Sequence, residues 1–99
     1  MDRVSFIESV SGIKYPGMIV DFFDHFIALK GLVEDSGKVN VLSNTETSIS
    51  FSISFSSSQA RDTALNTVNS LGGTVVIYNR PIFVGVQIPT DSEIIISLQ

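Results

Sequence analysis

Cysteine is absent from the 99 residues, and with it go disulfide scaffolds, thiolate zinc sites and thiol nucleophiles. A cysteine-free chain fits a reducing compartment, and a cytoplasmic setting is expected (host cytoplasm, for a viral chain). Charge is scarce too, at 16% of residues with a net charge of −4. The six basic residues are Arg3, Lys14, Lys30, Lys38, Arg61 and Arg80, no two of them adjacent. A nucleic-acid partner needs a basic footprint that neutralises phosphates, and an anionic membrane surface asks for the same. Neither partner is expected. No apolar stretch approaches the ~20 residues that span a bilayer, and no basic region followed by an apolar run marks a secretory signal.

Hydrophobic residues, by contrast, make up 43% of the chain, with seven phenylalanines. That is too much apolar surface for disorder and enough for one real core. A single domain over 1–99 is expected, since no linker or repeat divides the chain.

The segment from Ser48 to Ser56, "SISFSISFS", alternates serine with isoleucine or phenylalanine without a break. Period two makes a strand whose faces are Ile49, Phe51, Ile53 and Phe55 on one side and hydroxyls on the other. The chain carries no charge from Thr47 to Ala60. An uncharged, β-prone strand of this kind invites aggregation at a sheet edge, so it is expected inside the sheet or under a partner. The serine face, Ser48, Ser50, Ser52, Ser54 and Ser56, is then a candidate interface. Small hydroxyl side chains permit close approach and lose little rotamer entropy on burial. The plainer alternative is a solvated face.

Around this strand, "RVSFIESV" reads as a strand with Val4 and Phe6 on one face. "YPGMIVDFFDHFIALKG" reads as a helix, started by Pro16 and ended by Gly31. Its apolar stripe is Ile19, Phe22, Phe23, Phe26 and Ile27, and Lys30 falls at the same spacing. Phe22 or Phe23, with Phe26, is expected to pack on the Ile49–Phe55 face. "KVNVLS" is a short strand with Val39 and Val41 on one face. "QARDTALNTVNSLGG" is a second helix with a stripe of Ala60, Ala64, Leu65, Val68 and Leu71. Ser56 stands in capping-box spacing with Gln59, and Ser57 and Ser58 are alternative caps. Gly72–Gly73 ends it. "TVVIYN" and "PIFVGVQIP" are strands joined through "NRP", and "EIIISLQ" is a last strand or short helix. The order β-α-β-β-α-β-β-β predicts an α+β two-layer sandwich, with two helices on one face of a mostly antiparallel sheet.

Groupings that carry chemistry are thin. Asp21 and the lone His25 share a helix face, as a metal pair or a base and its orienter would. No third ligand accompanies them, and a solvent-facing i, i+4 pair explains the spacing equally. "SLGG" lacks the lysine and glycine spacing of a phosphate loop, and Asp35-Ser36-Gly37 lacks the ligand count of a calcium loop. No catalytic residue, metal site or cofactor is expected, and the chain is read as a non-enzyme. The stretch "SISFSISFSSSQARDTALNTVNSLGGTVVIYNRPIFVGVQIP" resembles the strand-helix-strand-strand half of ferredoxin-like domains, a group that includes subtilisin-propeptide inhibitors and ACT domains. That resemblance implies a small-molecule-binding or enzyme-inhibiting regulatory domain. The reading from the residues themselves is a small protein-interaction or assembly module that pairs with itself or another protein. Its short, motif-poor, cysteine-free character is shared by phage and viral accessory proteins.

Overall fold

The structure, a computed structural model, describes residues 3–25 and 36–99. Over these the element order is α1 (Arg3–Val10), α2 (Gly17–His25), β1 (Ser36–Asn44), β2 (Ile49–Phe55), α3 (Ser58–Asn69), β3 (Thr74–Ile77), β4 (Arg80–Thr90) and β5 (Glu93–Leu98). The five described strands form one sheet in the order β1-β2-β5-β4-β3, with every neighbouring pair antiparallel. The class is α+β. Phe26, Ile27, Lys30 and Gly31 lie outside the described residues, and with them the expected end of α2 at Gly31 and the packing of Phe26.

The serine strand β2 lies inside the sheet, between β1 and β5. Its Ile49, Phe51, Ile53 and Phe55 are all buried. Register sets Ile49 opposite Leu98, Phe51 opposite Ile96 and Ile53 opposite Ile94, all on the same face. On the other flank, Val39 and Val41 stand opposite Ile53 and Phe51, on one face as their spacing predicts. Beyond β5, Val84 and Val86 pair with Leu98 and Ile96, and Ile82 pairs with Val75. One sheet face is thus apolar across all five strands, and it meets the helices in a single core.

The first segment is a helix, α1, and not a strand. Alternation would place Val4 and Phe6 on one face, yet Val4 is 64% exposed and Phe6 1%. Phe6 and Val10, four apart, are both buried, with Ile7 packed alongside. That is helical spacing, and the adjacent Phe6–Ile7 pair had already broken the period of two. Three described helices therefore cover the sheet where two were expected. The Phe6 ring stacks on Phe23 of α2, with centroids 4.0 Å apart and planes 9° from parallel. Phe6, Ile19, Phe22 and Phe23 close over Phe51, Ile53 and Ile96, leaving a void of about 10 Å³ lined only by apolar side chains, where a water would find no hydrogen-bond partner.

The linker between α1 and α2 is tied to the sheet by one side chain. The Tyr15 backbone N–H donates to Asn44 Oδ1 at 2.8 Å, and Asn44 Nδ2 donates back to the Tyr15 carbonyl at 2.9 Å. This reciprocal amide pair holds the helical layer to the end of β1. The Val20 N–H bonds the Pro16 carbonyl at 3.1 Å, opening α2 where the proline predicts it.

In α3, Ser57 is the cap: its hydroxyl accepts from the Ala60 N–H at 3.1 Å. Ala64 and Val68 bury the helix stripe, and α3 lies over β2 and β5. Gly72 and Gly73, at φ 75° and 82°, turn the chain into β3 in a conformation that side chains resist. Arg61 on the first turn donates through its guanidinium to the Thr90 carbonyl at 3.0 Å, fastening α3 to the β4–β5 turn.

The ferredoxin-like resemblance is not confirmed. β2 and β3 flank α3 in sequence, but β5 and β4 lie between them in the sheet. The last segment, β5, is a strand throughout.

The stacked ring at the helix–sheet junction generates a stability prediction. Phe23→Ala removes the partner of Phe6 and opens a cavity over Phe51. It is expected to cost about 3–5 kcal/mol by chemical denaturation. A loss under about 1 kcal/mol would show that α2 contributes little to the core.

Candidate functional site

All three described helices cover one face of the sheet, and no described element covers the other. Register assigns the residues of this outer face in cross-strand rows. Lys38, Ser54, Glu93 and Thr90 form one row across β1, β2, β5 and β4. Asn40, Ser52, Ile95 and Gln87 form the next. Ser43, Ser50, Ser97 and Gly85 form the third. Beyond it, Phe83 and Thr74 pair on β4 and β3, and Pro81 and Val76 follow.

The third row is built wholly of small residues. Ser50 Oγ and Ser97 Oγ hydrogen-bond each other at 3.0 Å, and a Cβ added at Gly85 would meet nothing nearer than Ser97 Cβ at 3.9 Å. The row forms the floor of a trough running across the strands. Beside it, two shallow hollows of about 380 and 460 Å³ meet at Phe83 and Gln99. Phe83 is 60% exposed and Val76 61%. A bulge between Val41 and Ser43 leaves Leu42 as an extra residue beside Ser43, 51% exposed. Apolar side chains thus stand at both ends of a polar, uncharged floor.

The serines predicted for this face divide. Ser50, Ser52 and Ser54 project from β2 onto it. Ser52 is only 7% exposed, because Asn40 and Ile95 crowd it from either side. Ser48 and Ser56 lie in the flanking turns. Ser48 Oγ is 2.8 Å from Thr45 Oγ1, within the β1–β2 turn, and Ser56 is exposed at the exit from β2. The residues missed from sequence are Leu42, Val76, Phe83, Gly85, Ile95 and Ser97. The alternation of "PIFVGVQIP" sorts Phe83 and Gly85 onto one face, but nothing in it says which face the helices take.

Among the described residues, charge on the outer face is confined to Lys38 and Glu93, two strands apart in one row. Glu93 Oε1 accepts from the Thr90 hydroxyl at 3.2 Å. The sheet edges are poor pairing surfaces. β1 is interrupted by shifts at Ser36/Lys38 and Val41/Ser43, and β3 has only four residues. Bulges, a lysine and shortness all discourage a further strand.

On the helical side, a cleft of about 350 Å³ lies between α2, the β1–β2 turn and the β3–β4 hairpin. Asp21, Glu46, Tyr78 and Arg80 line it with Met18 and Ile82. The hairpin turn is the two residues Tyr78 and Asn79, between the pair Ile77 and Arg80. It is not carried by Asn79-Arg80-Pro81, because Arg80 and Pro81 already pair within the sheet. Tyr78 at φ 51° and Asn79 at φ 61° give the mirror-image turn that matches strand twist. Asp21 lines this cleft, while the His25 side chain lies outside the described residues. Among the described residues no group of three or more potential ligands gathers to hold a metal ion. No helix among them is long and apolar enough to cross a membrane.

Comparison with protein-family models, curated proteins and solved structures found no match to this chain.

A tyrosine held at positive φ is strained, and the strain is testable. Replacing Tyr78-Asn79 by Asn-Gly is expected to stabilise the hairpin by about 0.5–1 kcal/mol. Thermal melts of the two proteins check it. A destabilised variant would mean that the Tyr78 side chain holds the cleft together.

Proposed function

We propose that the chain is a non-catalytic interaction or assembly module whose working surface is the outer face of the sheet. Its partner on this reading is protein, and self-association satisfies it. The observation that supports the reading most is a five-stranded sheet face that the described helices leave uncovered, carrying few described charges, with Phe83, Val76 and Leu42 exposed on it. A solvated sheet face is normally studded with lysine and glutamate, which keep strands from associating. Here serine and glycine fill those positions, and they leave room for another surface to come close. The cysteine-free composition supports a reducing, cytoplasmic setting for such a module.

The cleft lined by Asp21, Glu46 and Arg80 supports a second reading, a small-molecule-binding regulatory domain. A thermal-shift screen with small metabolites separates the two readings. A stabilising ligand whose effect disappears in Arg80→Ala would favour the cleft.

Ser52 lies at the centre of the serine face and is the probe of the main reading. Ser52→Lys sets a bulky charge there. Under an interface it is expected to weaken association by several kcal/mol while the monomer stays folded. On a merely wet face it would leave the mass unchanged, whatever the crowding by Asn40 and Ile95 costs the fold. Sedimentation of both proteins at matched concentrations decides. A wild type still monomeric at high micromolar concentration speaks against self-association, and unchanged mass in the mutant speaks against this face.

A further inference from the structure

Resting on the interaction reading, we infer that the outer face takes a second copy of this chain, related by a two-fold axis parallel to the strands and midway between β2 and β5. This axis keeps each row in place and exchanges β2 with β5 and β1 with β4. Each residue then faces a counterpart of complementary size. Ile95 stands over the partner's Ser52, and Ser52 beneath the partner's Ile95. Asn40 meets the partner's Gln87, amide to amide. Leu42 and Ser43, doubled by the bulge, meet the gap at the partner's Gly85. Ser50 meets the partner's Ser97. An isologous contact needs this self-complementarity, because the same patch serves both sides.

Charge suits this axis, and it suits one along β2 as well, which would set Lys38 directly over the partner's Glu93. That axis would stack Ser52 on its own image and leave Ile95 over the partner's Asn40, so the fit of Ile95 to Ser52 decides between them. With the axis midway between β2 and β5, Lys38 on β1 lies over β4 of the second copy, one strand from the partner's Glu93, a lateral offset of about 4.8 Å that a lysine side chain spans. The symmetry makes the pair twice. An axis along β5 would set Glu93 against its own image. An axis across the strands would separate Lys38 from Glu93 by the length of the sheet. The acidic chain as a whole repels its copy, whereas this face carries one charge of each sign, placed where two-fold symmetry pairs them. Aligned sheets cross at about 30°, so the rows superpose best near the axis and diverge at the corners.

Four strands about 4.8 Å apart and about seven residues long give a footprint of roughly 400 Å² per copy. Twice that, about 800 Å² in all, is below the size of a standard stable interface, so weak association is expected, with a dissociation constant on the order of tens of micromolar.

Reversal of the two charges tests the arrangement. Sedimentation equilibrium would compare the wild type, Lys38→Glu, Glu93→Lys, the double reversal and an equimolar mixture of the single variants, with circular dichroism confirming the fold. Each single reversal is expected to weaken the dimer by about tenfold or more, since both symmetric pairs become repulsive. The double reversal should return within about threefold of the wild type, and the mixture should associate more tightly than either variant alone. If Glu93→Lys disturbs the β4–β5 turn, Lys38→Glu mixed with wild type still reads the charge dependence, as an intermediate affinity. A wild-type dimer that Ser52→Lys disrupts but the reversals leave unmoved would overturn this axis and keep the interaction reading. A wild type monomeric at high micromolar concentration would overturn self-association itself.

Discussion

The pairing of β2 between β1 and β5 is the constraint on which the rest of the molecule depends. The strand alternates strictly, so one register decides the fate of every residue in it. With Ile49, Phe51, Ile53 and Phe55 turned inward, they meet Ile94, Ile96 and Leu98 from β5 and receive the phenylalanines of α1 and α2. A slip of one residue would bury the serines and expose the isoleucines and phenylalanines. The apolar inner face over-determines the register, and the outer face is fixed as its consequence.

That consequence gives the outer face its character. Its composition is set on β2 by serine, on β5 by the alternation of Glu93, Ile95 and Ser97, and on β4 by Phe83, Gly85 and Gln87. Side chains this small leave backbone close to the surface, and Ser52 is nearly covered by its neighbours alone. The helical layer, fastened by the Tyr15–Asn44 amide pair and the Arg61–Thr90 contact, stays on the opposite side. A packed core and an open, nearly neutral sheet face are thus two sides of one strand.

The edges reinforce this division. Bulges on β1 and the shortness of β3 make lateral extension unfavourable. Under the proposed interaction, assembly through this sheet would use its face. Face-to-face contact under two-fold symmetry closes on itself, whereas edge pairing propagates. A strand as aggregation-prone as β2 is safe inside such an architecture.

Sequence by itself determined the strands and the helices that carry a strong period: β2, α2 as far as it is described, α3 with its serine cap and paired glycines, and the strands β3 and β4. Alternation in β2 named its buried residues correctly, because a period of two admits only one apolar face. Short segments were legible only in part. "RVSFIESV" offers four apolar positions, of which Val4 and Phe6 suit a strand and Phe6, Ile7 and Val10 a helix, and the stacking of Phe6 on the Phe23 ring favours the helix. The tight turn at Tyr78-Asn79 was hidden because tyrosine rarely takes positive φ, and strand pairing imposed it. Only the tertiary structure decided the strand order, and with it which residues of β1, β4 and β5 join the serines. Cross-strand neighbours are chosen by packing between segments far apart in the chain, and no local pattern records that choice.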